Sequence, residues 1–165
     1  MMSNLRADAL FRALLTVLTV CVLLQGCSPS APELTPELSA ALQARAFAAA
    51  CEDLDCQGGP VYSWDTTPED VRSAIAEILD EEVAYLDSDT LMGLTDDRGL
   101  FKDGGTSIAT SRVQLLKADV IGVDTWRGRG LFDGRVETVL FRWDGADWMA
   151  TTSDEVGVTV TSSVP

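Results

Sequence analysis

Apolar residues in the middle of the chain recur at intervals of three and four positions, the period of a helix with one buried face. They are Val71, Ile75, Ile78 and Leu79. Thr67 and Pro68 stand just before them, and a threonine cap followed by proline at the first helical position is typical of a helix start. The pattern predicts a helix over residues 68–80.

An earlier segment has the composition of a second helix. Thr35 and Pro36 form the same kind of start, and the residues from there to about Cys51 are rich in alanine. Between the two predicted helices, Val61–Trp64 has the β-branched and aromatic residues of a short strand. Residues 82–87 either continue the preceding helix or form another strand, and a strand is favoured because Val83 and Tyr85 alternate with their neighbours.

From residue 112 onwards the chain is rich in β-branched and aromatic residues, whereas residues 88–110 are rich in Asp and Gly and are predicted as a loop. The predicted strands are residues 113–125 (with a bulge), 136–143, 148–152 and 156–161. Helices first and strands afterwards predict an α+β fold, in which two N-terminal helices precede an antiparallel β-meander of about four to six strands. A single α+β domain is expected over residues 36–165.

The first 26 residues have a different composition from the rest. Arg6 and Arg12 precede an uncharged apolar run, residues 13–24, which is followed by small Gly26 and Cys27. Such a run spans only about 18 Å as a helix, too short for the roughly 30 Å hydrocarbon core of a bilayer. It is therefore typical of a signal peptide, and the arginines before it predict export of everything that follows.

The sequence Leu24-Gln25-Gly26-Cys27 resembles the lipobox of bacterial lipoprotein precursors. The resemblance implies cleavage of residues 1–26 and a diacylglyceryl group on the Cys27 thiol. Acyl chains such as palmitate would then hold the mature protein on the extracytoplasmic face of the cell membrane. Residues 27–35, with their prolines and serines, would form a linker. The alternatives are an ordinary secretory signal with an incidental cysteine, and an uncleaved anchor.

The mature chain is strongly acidic. Loss of residues 1–26 removes two of the 12 basic residues and one of the 26 acidic residues, which leaves 10 against 25 and a net charge of −15. We therefore expect no nucleic-acid partner, and we expect the domain to hang from its lipid rather than lie on an anionic bilayer. The chain also has no histidine, which excludes Ser-His-Asp, Cys-His and His-ligated zinc chemistry.

Two cysteines remain in the predicted domain, Cys51 and Cys56, with four residues between them. In an exported protein this pair predicts a disulfide, whose small loop would stabilise the fold by about 2 kcal/mol. The spacing is not that of the C-x-x-C redox motif. The acidic residues around the pair would raise a thiol pKa, so a redox role is not predicted.

Two groups of side chains are candidate binding sites. A ligand patch is predicted from a tryptophan and four arginines: Trp126, Arg127, Arg129, Arg135 and Arg142. If they converge, they suit a carboxylate or an acidic partner; charges that balance the sheet are the alternative. A weaker calcium site is considered at Asp87, Asp89, Asp96, Asp97 and Asp103. Their spacing departs from that of an EF-hand, and a solvated acidic loop is the alternative.

These features predict a membrane-anchored extracytoplasmic lipoprotein with no catalytic residue, no cofactor and no metal requirement. Its domain would be a non-enzymatic binding or accessory module of the cell envelope, with an envelope protein or a glycan as the expected partner. The alternative is an envelope hydrolase that uses carboxylates alone. Buried, paired acids would favour the hydrolase, whereas an exposed aromatic or arginine-bearing sheet face would favour binding.

Overall fold

The computed structural model describes residues 30–54 and 56–160. Its elements in chain order are α1 (Pro36–Leu54), a 3-10 turn (Cys56–Gly58), β1 (Val61–Trp64), α2 (Glu69–Ile78), β2 (Val83–Leu86), α3 (Ser88–Gly93), β3 (Thr106–Lys117), β4 (Val120–Gly128), β5 (Arg135–Trp143), β6 (Trp148–Thr151) and α4 (Ser153–Val156). The predicted signal peptide and the predicted lipidation site, Cys27, lie outside the described residues. Within them, no helix is both long and apolar enough to cross a membrane.

Six strands form one mixed sheet in the order β2-β1-β3-β4-β5-β6. β1 pairs in parallel with both β2 and β3, whereas β3 to β6 form an antiparallel meander. The predicted α+β class is confirmed, but the expectation of two N-terminal helices followed by a purely antiparallel sheet is wrong. α2 lies between β1 and β2 because adjacent parallel strands need a crossover connection. The composition of a short strand does not specify the direction of its neighbour.

β3 and β4 occupy the stretch that the sequence predicts as one long strand, residues 113–125. The chain instead reverses at residues 118–119, where Lys117 is paired with Val120. Both strands are rich in Val, Leu and Ile, so the apolar pattern continues through the turn. The polar residues that suggest a bulge in one strand mark the turn between two.

The prediction of a last strand over residues 156–161 is wrong for the described residues, 156–160, which form no strand. The Glu155 N–H donates to the Thr152 hydroxyl at 3.4 Å, and the Thr152 N–H donates to the Glu155 carboxylate at 3.1 Å, which forms a capping box at the start of α4. Gly157 ends the helix in the left-handed conformation, with φ 57°. These local hydrogen bonds override the period-two alternation of the valines that follow.

Two further local predictions, one before α2 and one after β2, also differ from the structure. The loop predicted over residues 88–110 contains α3 and the start of β3, and the Asp87 carboxylate caps α3 by accepting the Thr90 N–H at 2.9 Å. Thr67 is predicted to cap α2, but its hydroxyl lies 3.3 Å from a serine hydroxyl of β1. Pro68 occupies the cap position without a side-chain hydrogen bond. The helix itself is confirmed.

α1 and α2 cover the same face of the sheet. One buried cluster joins both helices to β3: Phe47, Val71, Ile75 and Ile108. A second joins α1 to the last three strands: Leu42, Ile121, Phe141 and Trp148. On the opposite face, α4 buries Val156 against Val120 and Leu140. The buried alanines of α1 let its backbone approach both clusters closely.

The predicted disulfide between Cys51 and Cys56 is present and links the end of α1 to the turn after it. The Thr106 hydroxyl donates to Cys56 Sγ at 3.4 Å, which ties this turn to the start of β3. Nearby, a Cβ on Gly59 would lie only 2.8 Å from the carbonyl oxygen of Gly104, so two loops touch through their backbones. Covalent and backbone contacts therefore close this end of the sheet.

Candidate functional site

A groove lies at the other end of the sheet, where β3 turns into β4 and β5 turns into β6. We call it the hairpin groove; it has a volume of about 890 Å³. Its lining includes Ser30, Ala31, Leu115, Arg142, Trp143 and Met149. Leu115 and Met149 are 61% and 49% exposed, although both are large apolar residues of strands. Two large apolar side chains exposed at the same end of the sheet make this end a candidate contact surface.

The lining of the hairpin groove comes from both faces of the sheet. Leu115 is paired with Ile121, which packs against α1, so Leu115 lies on the α1 face. Met149 is paired with Arg142, and the residue before Arg142, Phe141, packs against α1. Because successive strand residues alternate between faces, Met149 lies on the opposite face. The groove therefore wraps around the end of the sheet.

The N-terminal segment forms one wall of the hairpin groove. Ala31 packs against the cluster that α1 forms with Trp148, and Ser30 lines the groove beside it. Both residues belong to the linker predicted over residues 27–35, so this part of the linker contacts the domain. Three peptide units separate Cys27 from Ser30, and they span at most about 11 Å.

Acidic side chains around the hairpin groove have partners. Arg142 Nε lies 3.5 Å from Asp119 Oδ2, and Arg45 Nη1 lies 3.5 Å from Asp147 Oδ1. Asp144 Oδ1 accepts the N–H groups three and two residues further on, at 2.9 and 2.8 Å, and these hydrogen bonds lower the pKa of Asp144. Two arginines and two backbone donors thus offset the negative charge of the turns at this end.

The structure does not bring the five residues of the predicted ligand patch together; they are Trp126, Arg127, Arg129, Arg135 and Arg142. Arg142 is paired with Val120 at the hairpin groove, whereas Arg127 is paired with Arg135 at the far end of the same strands. Seven residues of extended strand separate Arg135 from Arg142 by about 24 Å. Trp126 and Arg127 are neighbours on β4 and lie on opposite faces. The sequence indicates that these residues share a hairpin, but not which end each occupies.

Arg127 is the centre of an ion network. Its side chain is only 10% exposed, and its guanidinium donates to Asp53 at the end of α1 and to Glu137 on β5. Arg135 Nε also lies 2.7 Å from Glu137 Oε1. A buried guanidinium needs such partners, since an unpaired buried charge is strongly destabilising. Arg127 therefore joins α1 to the sheet and is not presented to a ligand.

Trp126 is held in place by packing. Its indole N–H donates to Ser107 Oγ at 3.3 Å, and its ring meets that of Trp64 edge-on, with 6.4 Å between the ring centroids. Gly134 lies against the ring, since a Cβ there would be 2.1 Å from Trp126 Cζ2. The half-buried indole supports the sheet end that carries the Arg127 network.

The acids of the predicted calcium site, Asp87, Asp89, Asp96, Asp97 and Asp103, lie along the connection from β2 to β3, and three of them accept local hydrogen bonds at a cap or a turn. The Thr90 N–H donates to Asp87 and lowers its pKa, and the Leu100 N–H donates to Asp96 at 3.0 Å with the same effect. Over residues 30–54 and 56–160, no three acidic or cysteine side chains are grouped as metal ligands. These contacts favour the solvated acidic loop.

Tyr62 and Asp103 form a phenol–carboxylate pair that holds this connection against β1. The Tyr62 hydroxyl donates to the Asp103 carboxylate, which also accepts the Gly105 N–H at 3.0 Å. Burial raises the pKa of Tyr62 to about 12, and the hydrogen bond and charge of Asp103 act in the same direction. Burial also raises the pKa of Asp103, but the hydrogen bonds from Tyr62 and Gly105 outweigh it, and the pKa is lowered.

Comparison of the chain with protein-family models, with curated proteins and with solved structures finds no match. Its function therefore has to be inferred from its own residues and contacts. Of these, the hairpin groove is the feature that the sequence pattern does not reveal. Leu115 and Met149 were not among the predicted site residues, because an apolar strand residue has the same pattern whether its side chain is buried or exposed.

Proposed function

We propose that this chain is an exported bacterial lipoprotein, held at the extracytoplasmic face of the membrane by lipid on Cys27. Its α+β domain acts as a non-enzymatic binding or accessory module of the cell envelope. The observation that carries the proposal is the lipobox-like sequence Leu24-Gln25-Gly26-Cys27, which ends three residues before Ser30, where the described fold begins. Cleavage at this position would leave α1 and every strand intact.

The contacts of the acidic side chains support a binding module over the alternative hydrolase. A hydrolase that uses carboxyl side chains alone needs one whose pKa is raised, so that this side chain can act as an acid near neutral pH. In the described part of the chain, the carboxyl groups with a displaced pKa are all displaced downwards: Glu37, Asp87, Asp96, Asp103, Asp144 and Glu155. They accept hydrogen bonds at caps and turns, which is a structural role.

Intact mass spectrometry of the membrane-extracted protein tests the anchor. We expect the mass of residues 27–165 plus acyl chains, with a gain of two hydrogens on reduction of the Cys51–Cys56 disulfide. A mass that retains residues 1–26, or that lacks lipid, would contradict the proposal.

Two cysteine variants make the same test in cells. Cys27→Ser should release the protein from the membrane fraction or leave an unprocessed precursor, because the thiol is the atom that carries the lipid. Cys21→Ser is the matched control, since Cys21 lies in the apolar run and should be removed with it. Membrane fractionation distinguishes them, and equal behaviour of the two variants would argue against the lipobox.

Binding and turnover of envelope polymers separate the two function classes. The purified, acylated protein is incubated with peptidoglycan and with envelope glycans, and both co-sedimentation and soluble fragments are measured. A binding module should release no fragments. Release that depends on the protein would overturn the binding role and support the hydrolase.

A further inference from the structure

The negative charge of the mature protein is concentrated on one side of the sheet. Residues 65–98, which hold α2, β2 and α3, contain eleven acidic and two basic residues, a net charge of −9. Residues 106–156, which hold β3 to β6 and α4, contain eight acidic and six basic residues, a net charge of only −2. β2 and β6 are the opposite edges of the sheet. The net charge of the whole chain therefore does not describe the surface near β6.

The weakly charged side carries the hairpin groove. Its exposed Leu115 and Met149 lie beside the half-buried indole of Trp143 and the long, partly apolar side chain of Arg142. Apolar, tryptophan and arginine side chains together are typical of residues that meet the boundary between water and lipid. Because the lining wraps around the sheet end, a flat surface that approaches this end can contact residues of both faces.

The predicted lipid site lies close to this groove. Cys27 is within about 11 Å of Ser30, which forms part of the groove wall, so the acyl chains would enter the bilayer beside the groove. The acidic side, at the opposite edge of the sheet, is repelled by anionic headgroups. Both effects turn the same end of the domain towards the membrane.

We propose that the hairpin groove is the membrane-facing surface of the domain, and that Leu115 and Met149 contact the interfacial region of a phospholipid bilayer. This inference rests on the proposed lipid anchor. Two apolar side chains bind a bilayer weakly by themselves. A lipid tether of a few residues raises their effective concentration at the surface, so that a weak contact is enough to set the orientation. The domain then rests on its weakly charged end and does not hang free.

Site-directed spin labels can measure which end of the domain faces the bilayer. Leu115→Cys and Met149→Cys are made in the full chain, which is expressed with its signal peptide, purified after acylation and reconstituted in vesicles of phosphatidylcholine and anionic phosphatidylglycerol. Phe132→Cys is the matched control, because Phe132 is 73% exposed but follows β4 at the far end of the sheet. For each label, the collision rate with oxygen, which concentrates in lipid, is divided by that with a water-soluble nickel complex.

Labels at Leu115 and Met149 should give a ratio several-fold higher than the label at Phe132. Equal, water-like ratios at all three positions in a protein of confirmed acylated mass would overturn the membrane contact and leave the anchor standing. A protein without acyl chains would overturn both. Shielding of Leu115 from both reagents in native membranes would show a protein partner at the groove instead. If the Leu115 variant does not fold, Ala118→Cys, at an exposed turn position of the same groove, makes the same measurement.

Discussion

The acidic side of the sheet (residues 65–98) and the meander (residues 106–151) use charge in different ways. On the acidic side most carboxylates are exposed, and those of Asp87 and Asp96 hold a helix cap and a turn. In the meander, acidic and basic residues are equal in number, and Arg127 forms an ion pair with Glu137 across β4 and β5. Net charge therefore describes the chain but not its surfaces. Four experiments follow from the difference.

The largest expected effect comes from the contact that joins the two regions. Phe47 is fully buried between α2 and β3, and Phe47→Ala should lower the free energy of unfolding by about 3–5 kcal/mol through lost burial and a cavity. Phe132→Ala, at an exposed position, should change it by less than about 0.5 kcal/mol. Urea unfolding measures both. Similar values for the two variants would show that α1 does not hold the regions together.

The second experiment compares two arginines of the meander. Arg127→Ala should lower the free energy of unfolding by about 2 kcal/mol. This is less than the loss expected for a fully buried ion pair, because Asp53 and Glu137 are 65% and 33% exposed and regain solvent. Arg129→Ala, at an exposed position two residues away, should be nearly neutral. A neutral Arg127→Ala would mean that the ion network does not hold α1 to the sheet.

The pH dependence of stability tests the connection between the two regions. The pKa of Tyr62 rises from 10.0 to about 12 on folding, so the folded chain retains this proton at higher pH than the unfolded chain. The resulting stability is fully present below pH 10 and is lost as the pH rises towards 12. Tyr62→Phe should remove this alkaline loss in denaturant titrations. Tyr85→Phe is the control for a second tyrosine with a raised pKa, and an unchanged alkaline loss in Tyr62→Phe would contradict the assignment.

The smallest effect is expected on the acidic side. Glu82→Gln should change the free energy of unfolding by less than about 0.5 kcal/mol, because its carboxylate is exposed. Glu137→Gln in the meander should lower the free energy of unfolding more than Glu82→Gln does, since the Glu137 carboxylate accepts hydrogen bonds from both Arg127 and Arg135. Thermal unfolding at low and high salt measures the pair. A larger loss for Glu82→Gln would erase the contrast between the two regions.

The early elements could be predicted because their signals are local. Proline at a helix start, apolar residues at helical spacing and a cysteine pair specify α1, α2 and the disulfide. The turn at residues 118–119 was missed, since valine- and isoleucine-rich strands continue on both sides of it. The sequence does not reveal α4 because its capping box, formed by Thr152 and Glu155, is followed at once by valines that alternate as in a strand.

The sequence by itself determined α1, α2, the disulfide, the absence of histidine chemistry and the overall acidity, and it carries the predicted lipid site. Only the tertiary structure decided that Arg127 is buried, that Arg142 lies some distance from it, and that Leu115 and Met149 are exposed at one end. The physical reason is that caps, turns and periodicity act between residues close in the chain. Burial and the sharing of charge depend on which strands pair and in which direction, and residues far apart in the sequence fix both.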